Sequence, residues 1–97
     1  MGARDVPLDA LPPRLSFDGA RALKAQLLEA IATPNPTLDA RAVTAVDAAG
    51  LQLLIAAARA ARARGGRLTL HEPSPALLRA LALAGLTAAL DTAEDAP

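Results

Sequence analysis

The sequence predicts a small α/β domain, a mixed and mostly parallel sheet of about four strands packed by about four helices, and three observations carry that expectation. Short apolar runs of strand character alternate with longer segments of helical spacing. Breaks such as Pro12-Pro13, Pro34-Asn35-Pro36 and Gly65-Gly66 fall between them. The longest helical segment opens at Asp47, a polar residue that closes an apolar run. Strands separated by helices are joined by crossovers, and crossovers make parallel neighbours.

Taken in order, Val6, Leu8, Leu11 and Leu15 lie in a proline-punctuated stretch that cannot continue as helix, and they read as short edge strands. Ser16 or Asp18 is placed to cap a first helix over about 18–31. Its Leu23, Leu27, Leu28 and Ile31 fall at helical spacing, and Arg21, Lys24 and Glu29 take the solvent side. Thr33-Pro34-Asn35-Pro36 ends that helix, because neither proline suits a helix interior. Thr37-Leu38-Asp39 reads as a strand, and Ala42 to Val46 as an apolar approach to Asp47.

From Ala48 to about Arg64 the chain is Ala, Leu, Ile, Gln and Arg with one glycine, a helix that Gly65-Gly66 stops. At 100° per residue Leu51, Leu54, Ile55 and Ala58 share its core stripe, while Leu53 points the other way beside Ala57 and Ala60. Arg67 to His71 alternates polar and apolar at period two, as a strand with one covered face does. Ser74-Pro75 supplies a cap followed by proline at the first helical position. Leu77, Leu78 and Leu81 form the buried stripe of that last helix, Gly85 follows its end, and Leu86 to Leu90 adds a short turn. Residues 91–97 are acidic with nothing to bury, and are expected to fray.

Composition narrows the function. Ninety-seven residues make one domain, 1–97, with no room for a second. The chain is 53% hydrophobic, but with one Phe and no Trp or Tyr its core must be built from Leu, Val, Ile and Ala. Ten basic and ten acidic side chains cancel, which removes the cationic footprint of a nucleic-acid binder. Without Cys, and with His71 alone, neither a thiolate site nor a histidine cluster can form, so no metal or other cofactor is expected. No apolar run is long enough for a secretory signal or direct membrane insertion, which points to the cytoplasm. Asp39 and Asp47 form a poor catalytic pair, since each has a structural role and no Ser/His/Asp set accompanies them. His71 beside Glu72 reads as a solvated or hydrogen-bonded strand-end residue. The chain is therefore not read as an enzyme.

The order and spacing of Leu38-Asp39, Asp47-Ala48-Ala49-Gly50-Leu51, Gly65-Gly66, Leu68 to Leu70 and Gly85-Leu86 resemble the STAS family, named for sulfate transporters and anti-sigma factor antagonists. The resemblance implies a STAS-like fold and a non-enzymatic adaptor. Its partner would bind at Asp47, Ala48, Ala49, Gly50 and Leu51, with Leu53 one step along the helix as an anchor. In members regulated by phosphorylation, the acceptor hydroxyl resembles the residue just before the turn glycine. Here that residue is Ala49, which cannot accept a phosphate, and Ala48 also lacks a hydroxyl. The loss matters because a phosphate would add roughly −1.5 to −2 charges at the partner surface. Thr44 and Ser74 are the nearest hydroxyls, and neither fits the motif position. Two partner classes follow from the resemblance. One is an anti-sigma factor or a histidine-kinase-like regulator of a chemotaxis or two-component system. The other is the cytoplasmic ATPase of a lipid-trafficking ABC transporter.

Overall fold

The computed structural model describes residues 9–86 and 90–93. Four strands, β1 (Asp9–Ala10), β3 (Thr37–Asp39), β5 (Thr69–His71) and β6 (Asp91–Ala93), form a sheet in that spatial order, and every pairing is parallel. A second parallel pair, β2 (Arg14–Leu15) with β4 (Ala45–Val46), stands beside it. The three crossovers of the main sheet carry α1 (Ala20–Ala30), α2 (Ala48–Ala63) and α3 (Pro75–Leu83). Strand order follows chain order, as parallel neighbours joined by helices require.

The sheet is covered on one face. Leu38 and Leu70 stand side by side in register and are buried, while Thr37, Asp39, Thr69 and His71 on the opposite face are only partly covered. With the buried Leu23, Leu27, Leu54, Ile55, Leu77 and Leu81 these leucines form one aliphatic core without an aromatic ring. The only phenylalanine, Phe17, is 75% exposed.

Both glycine stops work as the sequence predicts. Gly65 (φ 85°) and Gly85 (φ 72°) take the left-handed conformation that ends a helix. At the end of α2, Gly66 N–H donates to the Ala61 carbonyl and Gly65 N–H to that of Arg62. Leu86 and Gly85 repeat the pattern on Leu81 and Ala82 after α3. Ser74 caps α3 with its Oγ, which accepts from Leu77 N–H at 3.1 Å.

Several expectations are corrected. Neither Ser16 nor Asp18 caps α1 by its side chain; the helix is entered through a 3-10 turn at Phe17–Gly19, whose first amide is taken by Asp47 across the fold. Leu28 and Leu78 lie outside the buried stripes, because each is offset by about 100° from the leucine before it. Asp91–Ala93 does not fray: it is β6, held to β5 by the ladder and by Glu72 N–H donating to the Ala93 carbonyl at 2.7 Å. Asp91 also meets Arg67 Nε at 3.4 Å and Arg62 Nη2 at 3.9 Å, so its charge is answered. Three α-helices rather than four are seen among the described residues; Val6, Leu8, most of the turn at 86–90 and the tail after Ala93 lie outside them.

Candidate functional site

The site is built around the start of α2. The chain leaves β4 at Val46, and Asp47, in extended geometry, caps the helix with Oδ1, which accepts from Gly50 N–H at 2.9 Å. Its other oxygen, Oδ2, accepts from Phe17 N–H at 2.9 Å. Asp47 N–H donates to the Leu15 carbonyl at 3.0 Å. One carboxylate thus ties two segments thirty residues apart and holds the Phe17 turn beside the first turn of α2.

Gly50 is there for a steric reason. A Cβ at this position would fall on the Leu15 carbonyl, far inside van der Waals contact, so only glycine lets α2 lie so close to β2. Ala48 is exposed and Ala49 half-buried, whereas Gly50 and Leu51 are buried. Of the five turn residues, then, Asp47, Ala48 and Ala49 offer surface, and Gly50 and Leu51 support it.

The accepted hydrogen bonds from Gly50 N–H, first, and from Phe17 N–H hold the Asp47 carboxyl below its ordinary value of 3.8, against a smaller opposing effect of burial. The unfolded chain therefore takes up this proton first. The cap's contribution to stability is complete above about 3.8 and is lost as pH falls through the lower folded value. Urea unfolding measured between pH 6 and pH 2 should show a steeper acid loss for the wild type than for Asp47→Ala. Parallel profiles would mean that the carboxylate is not held this way.

Beside the turn lies a hollow of about 480 Å³ between α2 and the end of α3, lined by Ala48, Leu51, Gln52, Ile55, Ala84 and Leu86 among others. Leu83, which precedes Ala84, is 83% exposed. Phe17 and this hollow are the features that sequence reasoning missed. The signal for Phe17 was present, a lone aromatic in the polar setting Ser16-Phe17-Asp18-Gly19, where no core stripe claims it. The hollow depends on how α3 meets α2, which local spacing does not encode.

Leu53 is not part of this surface. It is half-buried in a groove between α1 and α2, and Ala57 next to it belongs to the core, because α1 packs against the side of α2 that the sequence reading gave to solvent. The hydroxyls near the motif are also engaged. Thr44 Oγ1 donates to the Pro13 carbonyl at 3.2 Å, and Ser74 is buried as a cap. Asp39 accepts from Arg41 N–H and Arg41 Nε, so it and Asp47 serve separate local networks. Among the described residues no cluster of three or more His, Cys, Asp or Glu could hold a metal ion, and no helix is long and apolar enough to cross a membrane.

A family model described as "Mlab, STAS domain" matches residues 10–91. The chain belongs to the STAS family. Solved structures agree on the STAS fold. The anti-sigma factor antagonist SpoIIAA in its unphosphorylated form superposes with a TM-score of 0.68 at 22% identity, over 91% of this chain and 83% of that one. The phosphorylated form of the Bacillus cell fate determinant SpoIIAA gives 0.64 at 23%, over 87% and 78%. A Thermotoga maritima protein described as a candidate anti-sigma factor antagonist gives 0.74 at 18%, over 95% and 84%. No curated protein matches the chain by sequence. Membership of the family supports a general signalling or regulatory role.

Proposed function

We propose that this STAS domain is a non-enzymatic signalling adaptor, similar to anti-sigma factor antagonists, that acts in the cytoplasm. It docks an anti-sigma factor or a histidine-kinase-like regulator of a chemotaxis or two-component system on Asp47, Ala48 and Ala49. Phe17 lies on one side of that surface and the α2–α3 hollow on the other. The observation that carries this reading is the exposed phenylalanine, pinned beside the helix start by the Asp47 carboxylate. A large apolar side chain held in water by a fixed backbone is suited to bury itself in a partner's pocket.

The surface lacks its switch. Ala49 has no hydroxyl, Ser74 is buried, and the Thr44 hydroxyl donates to the Pro13 carbonyl, which supports a surface that is not switched by phosphate at the turn. Incubated with ATP and the kinase that co-purifies with it, the protein should keep its intact mass; a stoichiometric gain of one phosphate would refute the unswitched reading. The same absence supports a second reading. A permanently docked subunit needs no off-switch, and a STAS subunit bound to the cytoplasmic ATPase of a lipid-trafficking ABC transporter would use this same face. Affinity purification separates the two: recovery of an ABC ATPase without a kinase-like regulator would replace the first reading with the second.

A further inference from the structure

We propose that the groove between α1 and α2 seats an amphipathic helix of a partner protein whose apolar face is flanked by carboxylates. This contact is separate from the turn at Asp47 and does not depend on the reading given there.

The groove is about 240 Å³ in volume and its walls are aliphatic, with Leu27 and Leu28 from α1 facing Leu53, Ala56 and Ala60 from α2. Leu28 is 56% exposed at its rim. Leu53, Ala56 and Ala60 recur at i, i+3 and i+7, so they line one face of α2 over about 10 Å, enough for two turns of a third helix. The alanines keep the floor low, which lets a helix approach closely.

Charge selects the occupant. Arg21 and Lys24 lie three apart on α1, with Lys24 at the groove itself. At the far end Arg64 Nη1 donates to the Ile31 carbonyl rather than to a carboxylate. Among the described residues none of these three cations has an acidic partner within ion-pair reach, whereas Arg41, Arg62 and Arg67 do. On α1 the only carboxylate, Glu29, sits roughly 140° round the helix from Lys24. A second copy of the chain docked groove to groove would set cations against cations, so the groove is not built for self-association. An acidic amphipathic helix satisfies both the apolar floor and the unanswered charges.

The test is a titration of the isotope-labelled full chain followed by NMR. Three probes are used: a designed 18-residue helix with a Leu/Ala stripe flanked by Glu, the same helix with Lys in place of Glu, and vesicles of phosphatidylglycerol and phosphatidylcholine. Saturable shifts at Leu28, Leu53, Ala56 and Ala60 are expected with the Glu helix, and affinity at least about tenfold weaker for the Lys helix. Lys24→Glu should invert that preference, and Leu28→Asp, a change at an exposed site, should abolish binding of the Glu helix with the spectrum otherwise intact. Shifts mapping elsewhere, equal affinity for the two helices, or binding to vesicles and to neither peptide would overturn the proposal.

Discussion

Gly50→Ala is expected to destabilise the domain by about 3 kcal/mol or more, near the upper end of overpacking effects. The added methyl would land on the Leu15 carbonyl, a backbone group that cannot turn away as a side chain does. That carbonyl accepts the Asp47 N–H, so relief by moving β2 breaks the bond that seats the turn. Relief by moving α2 instead withdraws Gly50 N–H from the carboxylate and pulls Asp47 away from Phe17. Either way the loss of stability comes with a displaced Phe17. Urea denaturation measures the first effect, and the NMR shifts of Phe17 in the variant that remains folded measure the second. A cost below about 1 kcal/mol would mean that helix and strand are not in the contact described.

Gly66→Ala is expected to cost as much at the other end of α2, again about 3 kcal/mol or more. Here the Cβ would meet the carbonyl of Pro34. The proline loop after α1 is fixed against this turn by Arg67 N–H, which donates to Pro34 O, and by the Arg64 bond to Ile31 O. Gly65 is the internal control. It has the left-handed φ but open space around its Cβ position, so Gly65→Ala should cost only roughly 1 kcal/mol, the conformational penalty alone. Equal costs at the two adjacent glycines would contradict the steric account of Gly66.

The order of elements was legible because each boundary has a local cause. Asp47 and Ser74 cap helices, and Gly65 and Gly85 end them, with the hydrogen bonds that those residue types supply. The parallel sheet followed from the alternation of strands and helices. What was not legible depends on contacts across the chain. By its own helix's stronger stripe Leu53 points outward; that α1 packs alongside it and half-buries it is a fact about a neighbour. Asp91–Ala93 looked like tail because three residues carry no period, yet the free edge of β5 and two arginines give them a place. For the site, the turn was visible as a motif, but the role of Phe17 rests on the second oxygen of Asp47 reaching an amide thirty residues away.

On the proposed function a partner protein covers the Ala48 face of the α2 start. Site-specific photo-crosslinking in the native cell tests it without knowing the partner in advance. A photoreactive residue at Ala48 should give one dominant adduct with a regulatory protein, and Ala49→Glu in the same chain should remove it. The same probe at Glu29, exposed on α1, is the control and should stay free of that adduct. Adducts from Glu29 but none from Ala48, or an Ala48 adduct indifferent to Ala49→Glu, would contradict the account.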